Sequence, residues 1–497
     1  MTPAPTPELT RRRRLLVLAI LSTALLVVGL DSTIVNVALP AIHRSLDSSL
    51  AGLQWTVDAY TLVLASLLML AGSTADRIGR RRVFLLGLFV FSFGSLLCAV
   101  APSLDVLIAA RVLQAIGGSM LSPAAMSIIR NVFADPAERA RAIGVYAAIF
   151  GLSMALGPVL GGTLVDSVGW RAVFLVNLPV AAAAIVLAYR MVPESRAAQP
   201  RRVDPVGQLL VIIGLASLTY GIIEGPERGW GSVEIVSLLA TSALAFGILI
   251  PYELHRREPL LEVRFFRSVP FSGASAIAVC AFAALGGFLF LNTLYLQNVR
   301  GLSPLSAGLY MVPMAAMVVA CAPLSGRIVG SHGPRPSLLV AGGGLIAGVA
   351  MLTQLQADTA PAYILAAYTV FGLGFGFVNP PITNTAVSGM PPSQAGVAAA
   401  VASTSRQVGV TLGVAMVGAI IGGNAALSGG AASDFIAAAR PAWWAMLGVV
   451  SGVLLLGALS TSRWAEGTAR RTADALEEYP GTHAAALTPA AAAGRAG

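Results

Sequence analysis

"LLVLAILSTALLVVGLDSTIVNVALP" runs from Leu15 to Pro40, directly behind four consecutive arginines, Arg11–Arg14. From Leu15 to Leu30 every residue is apolar or small. The whole stretch exceeds the roughly 20 residues that a helix needs to cross a bilayer. Asp31 stands inside it. A carboxylate near the middle of such a segment costs about 2.5–3.5 kcal/mol on insertion scales, so it marks a functional position by default.

The composition extends that reading to the whole chain. Of 497 residues, 56% are hydrophobic and 11% charged, against roughly 25% charged in a soluble globular protein. The mean hydropathy is +0.79. These values describe an all-α polytopic membrane protein. The first span is too long, and too closely followed by others, to be a cleaved signal peptide.

There is no lysine, so all 32 basic residues are arginine. That excludes the lysine of a phosphate-binding loop and any Schiff-base lysine, and with them an ATP-driven motor. Cys98, Cys280 and Cys321 fall in apolar runs without paired spacing and read as small core residues. His43, His255, His332 and His483 lie in or beside predicted loops. No metal site or cofactor is expected.

Fourteen apolar runs are long enough to span: 15–39, 54–73, 83–101, 105–128, 143–165, 172–191, 206–223, 233–252, 270–296, 304–325, 337–356, 361–383, 398–422 and 442–461. Turn chemistry and charge interrupt them, as in "DRIGRRR", "DPAERAR" and "SHGPRP". With the N-terminus placed inside, 25 arginines fall on inner ends and loops, five on the outer side, and Arg111 and Arg406 within helices. The positive-inside rule therefore predicts that both termini are cytoplasmic. The net charge of +9 is explained by this topology and calls for no nucleic-acid partner.

Four stretches carry a family resemblance. "GSTADRIGRRRVF" (Gly72–Phe84) resembles the loop signature of the major facilitator superfamily between its second and third helices. "RVLQAIGGSM" (Arg111–Met120) is similar to the fourth-helix motif of its proton-coupled members, and "GPVLGG" (Gly157–Gly162) to the fifth-helix antiporter motif. "LDSTIVNVALP" and "WRAVFLVNLP" (Trp170–Pro179) resemble signatures of the fourteen-spanner drug:proton antiporters. The likeness extends over about residues 12–460. Thr74 stands where the loop signature usually has Leu, and Ser153 where the antiporter motif usually begins with Gly.

The resemblance implies two six-helix bundles, residues 15–191 and 270–461, with two additional spanning helices in a central segment 192–269 and substrate held near the midplane. Residues 1–14 form a cytoplasmic segment, and 462–497 a cytoplasmic, disordered tail. It further implies that Gly72, Asp76, Arg77, Gly79, Arg80 and Arg81 form a gating loop that latches the two bundles on the inside. Topogenic charge alone would account for the arginines but not for Asp76. Gly157 and Gly161 lie one turn apart, so another backbone can approach closely, and Pro158 adds a kink. Together with Gly162 they form the antiporter motif, the hinge and seal of an exchanger by the same resemblance.

Depth arithmetic brings the charges of the first half together. Arg111 lies about 9 Å from the outer end of helix four, Asp58 about 7–8 Å from that of helix two, and Asp31 about 24 Å from the inner end of helix one. Asp31 is expected to hold and release a proton, with Arg111 and Asp58 as electrostatic neighbours. Asp58 is assigned to attraction of cationic substrate more than to coupling. In the second half the one deep charge is Arg406. Asn36, Tyr60, Gln114, Asn292, Gln297, Asn379, Arg406 and Gln407 are candidates to line the cavity. For Asn292, Gln297, Asn379 and Gln407, interhelical hydrogen bonding is an equal alternative.

The expected function is proton-coupled export of small hydrophobic or cationic drug-like molecules from a bacterial cell across its cytoplasmic membrane, with protons and membrane lipid as the other partners and no enzymatic activity. Two alternatives stand beside it: export of a dedicated metabolite, siderophore or lipid by the same fold, or a non-transporting membrane enzyme or receptor. The last lacks a nucleophile–base constellation or a large soluble domain.

Overall fold

The computed structural model describes residues 10–197, 203–256, 258–388, 390, 395–422 and 432–477. Among these, fourteen helices are long and apolar enough to cross a membrane. They are α1 Arg11–Leu46, α2 Leu50–Ile78, α3 Arg80–Ala99, α4 Leu104–Val132, α5 Arg141–Ser167, α6 Ala172–Met191, α7 Pro205–Arg228, α8 Val233–His255, α9 Val269–Val299, α10 Pro304–His332, α11 Pro334–Leu352, α12 Pro361–Val387, α13 Val397–Gly422 and α14 Ser433–Ser460. The fourteen apolar runs of the sequence each correspond to one of them.

Local chemistry sets the helix ends. Ser49, Ser103, Asp135, Asp204, Ser232 and Ser303 each accept a hydrogen bond from the backbone N–H three residues on, capping the helix that follows. Between α2 and α3 the chain turns on Gly79 alone, at φ +129°, a conformation that only glycine adopts without strain.

Helices α1–α6 pack together as one half and α9–α14 as the other. The glycines of "GLGFGF" serve packing. A Cβ at Gly372 would meet the backbone of Met314, one at Gly374 the backbone of Gly344 and Leu345, and one at Gly376 Cys321 and Val318. The inserted pair α7–α8 lies outside both halves. Ile223 of α7 packs between Ala51 of α2 and Ala415 of α13, and Leu215 packs near Leu62 and Val408 of the same two helices. Trp55 Nε1 donates to Glu224 Oε1 at 2.9 Å and Gln208 Nε2 to the Ser66 carbonyl at 2.6 Å. Helix α7 thus runs along the seam between α2 and α13.

The halves meet at the arginine-poor end. A Cβ at Gly162 would overlap Pro304 and Leu305, and one at Gly308 would overlap the Pro158 carbonyl. The Leu305 N–H donates to Asp166 Oδ2 at 2.9 Å, and Gln297 Nε2 to the Val37 carbonyl at 2.8 Å. On the other seam, Gln54 Nε2 donates to the carbonyls of Val414 and Ala415, each at 3.1 Å, and the Thr411 hydroxyl donates to Thr61 at 2.8 Å. Toward the arginine-rich end, Val145 and Leu152 of α5 and Leu324 of α10 are exposed. No atom comes within 4 Å of a Cβ built at Gly144, Gly151, Gly326 or Gly330. The gap between the halves is closed at the arginine-poor end and open at the other.

One expectation is corrected. Residues 463–477 are not a disordered tail but a helix, α15 (Arg463–Glu477). Ala465, Ala469, Thr472 and Leu476 recur at helical spacing and are buried. The Thr468 hydroxyl oxygen accepts from the Val269 N–H at 3.0 Å, tying α15 to the first turn of α9. Residues 478–497 lie outside the described residues.

Candidate functional site: a caged carboxylate beside the inter-half cavity

Asp31 is fully buried in α1, and the three side chains that bond to it belong to the first half. Arg111 Nη1 donates to its Oδ2 at 2.5 Å. Gln114 Nε2 and Asn177 Nδ2 donate to its Oδ1 at 2.8 and 3.1 Å. Gln114, one turn along α4 from Arg111, also accepts from Arg111 Nη1 at 2.7 Å. Ser95 of α3 accepts from Gln114 and Asn177 and donates to the Phe174 carbonyl. Arg111 is completed by the Thr56 carbonyl at 3.1 Å and by the face of Tyr60, whose ring centre lies 4.1 Å from the guanidinium carbon.

A buried charge pair is stable only when its remaining donors and acceptors are satisfied. Here three nitrogens share two carboxylate oxygens, and the arginine spreads its other donors over a carbonyl, an amide and a ring. Among the described residues this is the one ion pair with both side chains buried, at 1% and 0% exposure.

Asp58 stands apart from this cluster. Tyr60 turns its ring to Arg111, and Asp58, two residues away and about 200° round the helix, shares the face of Gln54 and Thr61, which bond to α13. Its Oδ1 accepts from Thr61 at 3.4 Å and its Oδ2 is buried with no hydrogen-bond partner. The expected neighbourhood of Asp31, Arg111 and Asp58 therefore holds for the first two only.

The cavity between the halves is lined by Ser32, Thr33 and Asn36 of α1, Thr61 of α2 and Gln407 of α13, with apolar walls from Phe282, Leu285 and Leu289. Asn36 and Gln407 thus lie where the sequence suggested. Tyr60 and Gln114 do not line it; both are consumed by the charge cluster. Asn292 is buried inside the second half, accepting from the Tyr368 hydroxyl at 2.6 Å. Gln297 belongs to the closed seam, and Asn379 lies outside the cavity lining, its carbonyl accepting from Thr383. Arg406 sits one turn from Val410 of the cavity wall, toward the open end.

The loop motif is held by its own half. Asp76 accepts from Arg80 Nε at 2.9 Å. Glu194, just past α6, accepts from the backbone N–H of Arg81 at 3.1 Å and lies 3.9 and 3.8 Å from the Nε atoms of Arg81 and Arg82. The Arg80 N–H donates to the Ser195 carbonyl and the Ala197 N–H to that of Asp76. Gly72 packs toward Pro123, and a Cβ on Gly79 would collide with the Glu194 carboxylate. Among the described residues, none of the second half is bonded to Asp76, Gly79, Arg80 or Arg81 in this arrangement. Arg77 is exposed.

In the antiporter motif, Cβ atoms on Gly157 and Gly161 would overlap Thr33 and Ile34 of α1. Gly162 and Pro158 face α10. One short stretch of α5 therefore touches both the helix of Asp31 and the other half.

Asn177, Ser95 and Glu194 were not singled out in the sequence. Asn177 lies inside the quoted "WRAVFLVNLP", where an amide in an otherwise apolar run was the available signal.

Comparison with known proteins follows the geometry. The sequence profile of the Major Facilitator Superfamily matches residues 21–414. The multidrug resistance protein Stp of Mycobacterium tuberculosis is 38% identical over 410 residues, covering 82% of this chain and 76% of the relative. The methylenomycin A resistance protein of Streptomyces coelicolor is 35% identical, covering 91% and 93%. The tetracenomycin C resistance and export protein of Streptomyces glaucescens is 36% identical, covering 80% and 74%. Among solved structures, a bacterial homolog of the human lysosomal transporter Spinster, in an inward-facing and unoccupied conformation, superposes with a TM-score of 0.64 at 19% identity, covering 93% of this chain and 99% of that one. That likeness speaks for the fold, and the sequence matches place the chain: it is a fourteen-span protein belonging to the Major Facilitator Superfamily.

Proposed function

We propose that this chain is a proton-coupled antiporter that exports hydrophobic drug-like molecules from a bacterial cell. It lies in the cytoplasmic membrane with both termini inside, so that the cavity opens to the cytoplasm. The observation that carries this reading is the Asp31–Arg111 pair, sealed inside one half and one residue from the cavity wall at Ser32. The named roles of the relatives, resistance to and export of antibiotics, support the substrate class.

The coupling runs through α1. A proton on Asp31 removes the anion that holds Arg111, Gln114 and Asn177 in place. Each of those donors then seeks another partner, and α1 shifts against α4 and α6. Thr33 and Ile34, two and three residues on, bear on Gly157 and Gly161 of α5. The adjoining Pro158 and Gly162 make the seal against α10. A change of charge at Asp31 is therefore felt within one helical turn at the gate between the halves. One proton entering down its gradient supplies about 2.3 kcal/mol per 100 mV, plus about 1.4 kcal/mol per pH unit. The loop Gly72–Arg81, now tied to Glu194, is the inner latch that engages the second half when the inner end closes.

The test uses everted membrane vesicles. An imposed pH gradient should drive drug uptake into them, and Asp31→Asn should reduce that uptake to background while the protein still reaches the membrane. Full gradient-driven uptake by the variant would remove Asp31 from the mechanism. Cysteine labelling on a cysteine-free background should find Ser195 and Ser462 accessible from inside and Ser48 and Ser232 from outside. The reverse pattern would invert the orientation.

A further inference from the structure

Arg406 differs from Arg111 in having no acid. Its Nη2 donates to the Thr383 hydroxyl of α12 at 2.7 Å, and its Nε is buried without a partner. No carboxylate of the described residues lies within ion-pair distance of it. It neighbours Gln407 of the cavity lining and lies one turn from Val410, and the Thr383 that it reaches on α12 is exposed. An unpaired guanidinium inside a membrane protein is tolerated only where water or an anion can reach it, and the open end of the gap provides that access.

The acids expected to recruit a cation are not available to one. Asp31 is caged by three donors and wholly buried. Asp58 is wholly buried against α13. The described lining of the cavity carries no charged side chain.

We infer that Arg406 is the anchor for an anionic group of the substrate, and that the favoured cargo is an amphipathic acid. Its apolar body lies against Phe282, Leu285 and Leu289, and its carboxylate, enolate or phenolate oxygen reaches the guanidinium. The planar fork of Arg406 suits such an oxygen pair better than a point charge would. This departs from the expectation of a hydrophobic or cationic substrate and rests on the export function proposed for the same cavity. It also gives occupancy a role in the cycle. Closing the inner end over an empty site would strand an unpaired cation in a dry interior, whereas a bound anion removes that obstacle, so the loaded protein closes more readily.

One scaffold in three charge states tests it: 4-(1-pyrenyl)butyrate, its methyl ester, and the corresponding pyrenylbutyl-trimethylammonium, titrated onto the purified full chain in lipid nanodiscs. The wild type should bind the carboxylate about tenfold more tightly than either of the others, as one charge-assisted pair provides. In Arg406→Gln the three affinities should converge, and in Arg406→Lys a weaker preference for the carboxylate should remain. The assignment is overturned if the wild type binds the trimethylammonium as tightly as the carboxylate, or if Arg406→Gln keeps the preference. Should Arg406→Gln not purify, the wild-type ranking and the Lys variant decide. Vesicle transport separates this from the export reading. Retained carboxylate preference without gradient-driven movement of any probe defeats export and leaves the anion site. Gradient-driven movement of the cation, indifferent to Arg406, defeats the site and leaves export.

Discussion

The two halves are built on the same six-helix plan and filled in opposite ways. The centre of the first half is polar: Asp31, Arg111, Gln114, Asn177 and Ser95 in one hydrogen-bonded cluster. The centre of the second half is aromatic. Phe288 stacks on Phe371 at 4.3 Å, Tyr368 meets Phe288 edge-on at 5.0 Å, and Phe375 continues the row. The polar contacts there are neutral: the Tyr368 hydroxyl donates to Asn292, and Asn292 to the Phe288 carbonyl. A charged cluster has at least two arrangements of nearly equal energy when a proton comes or goes, whereas an aromatic stack has one. On the proposed mechanism, switching belongs to the first half and stiffness to the second.

The sharpest way to break this comparison is to remove the charge on each side of the pair. Asp31→Asn alone should abolish gradient-driven uptake and cost about 3–5 kcal/mol of stability by leaving Arg111 unpaired. Adding Arg111→Gln should recover much of the melting temperature and none of the transport. Recovered transport in the double variant would place the coupling elsewhere. Next in size is Phe371→Ala, expected to cost about 3–5 kcal/mol through lost packing. Its thermal midpoint should fall, while the pH dependence of the remaining transport stays that of the wild type. A changed pH dependence would show that the second half also senses protons.

Asn177→Leu removes one donor to the carboxylate, worth about 1.5–3 kcal/mol. It should lower gradient-driven uptake about tenfold or more with a displaced pH profile. Tyr368→Phe removes one neutral bond, worth about 1 kcal/mol, and should leave transport rate and pH profile unchanged. Equal effects of these last two on the pH profile would erase the distinction between the halves.

Much of the fold was legible because its cause is local. Fourteen spans follow from the length and hydropathy of the apolar runs, whereas the Ser and Asp caps that set the helix starts were not read. Partnership is a matter of direction and was less legible. Depth arithmetic placed Asp31, Arg111 and Asp58 at similar levels, but depth does not include rotation about the helix axis. Asp58 lies two residues from Tyr60 and so on the opposite face of α2, with Gln54 and Thr61. The same blindness put Tyr60 and Gln114 in the cavity. Glu194 could not be paired with Gly79 in advance, since the contact joins segments separated by four helices. Helix α15 was missed because its overall composition is polar and was read as a tail, although Ala465, Ala469, Thr472 and Leu476 recur on one face at helical spacing.

The bond from the Val269 N–H to Thr468 has a consequence in time. It spans 199 residues. At a synthesis rate of about 5–20 residues per second, the first turn of α9 waits on the order of 10–40 s for the residue that caps it. During that interval α9 through α14 emerge and enter the bilayer while the arginine-rich end of α9 is unfastened. The second half therefore acquires this tie only after Thr468 has been made, and a ribosome that stops before Thr468 releases a protein with the fourteen described spans in place and α9 uncapped.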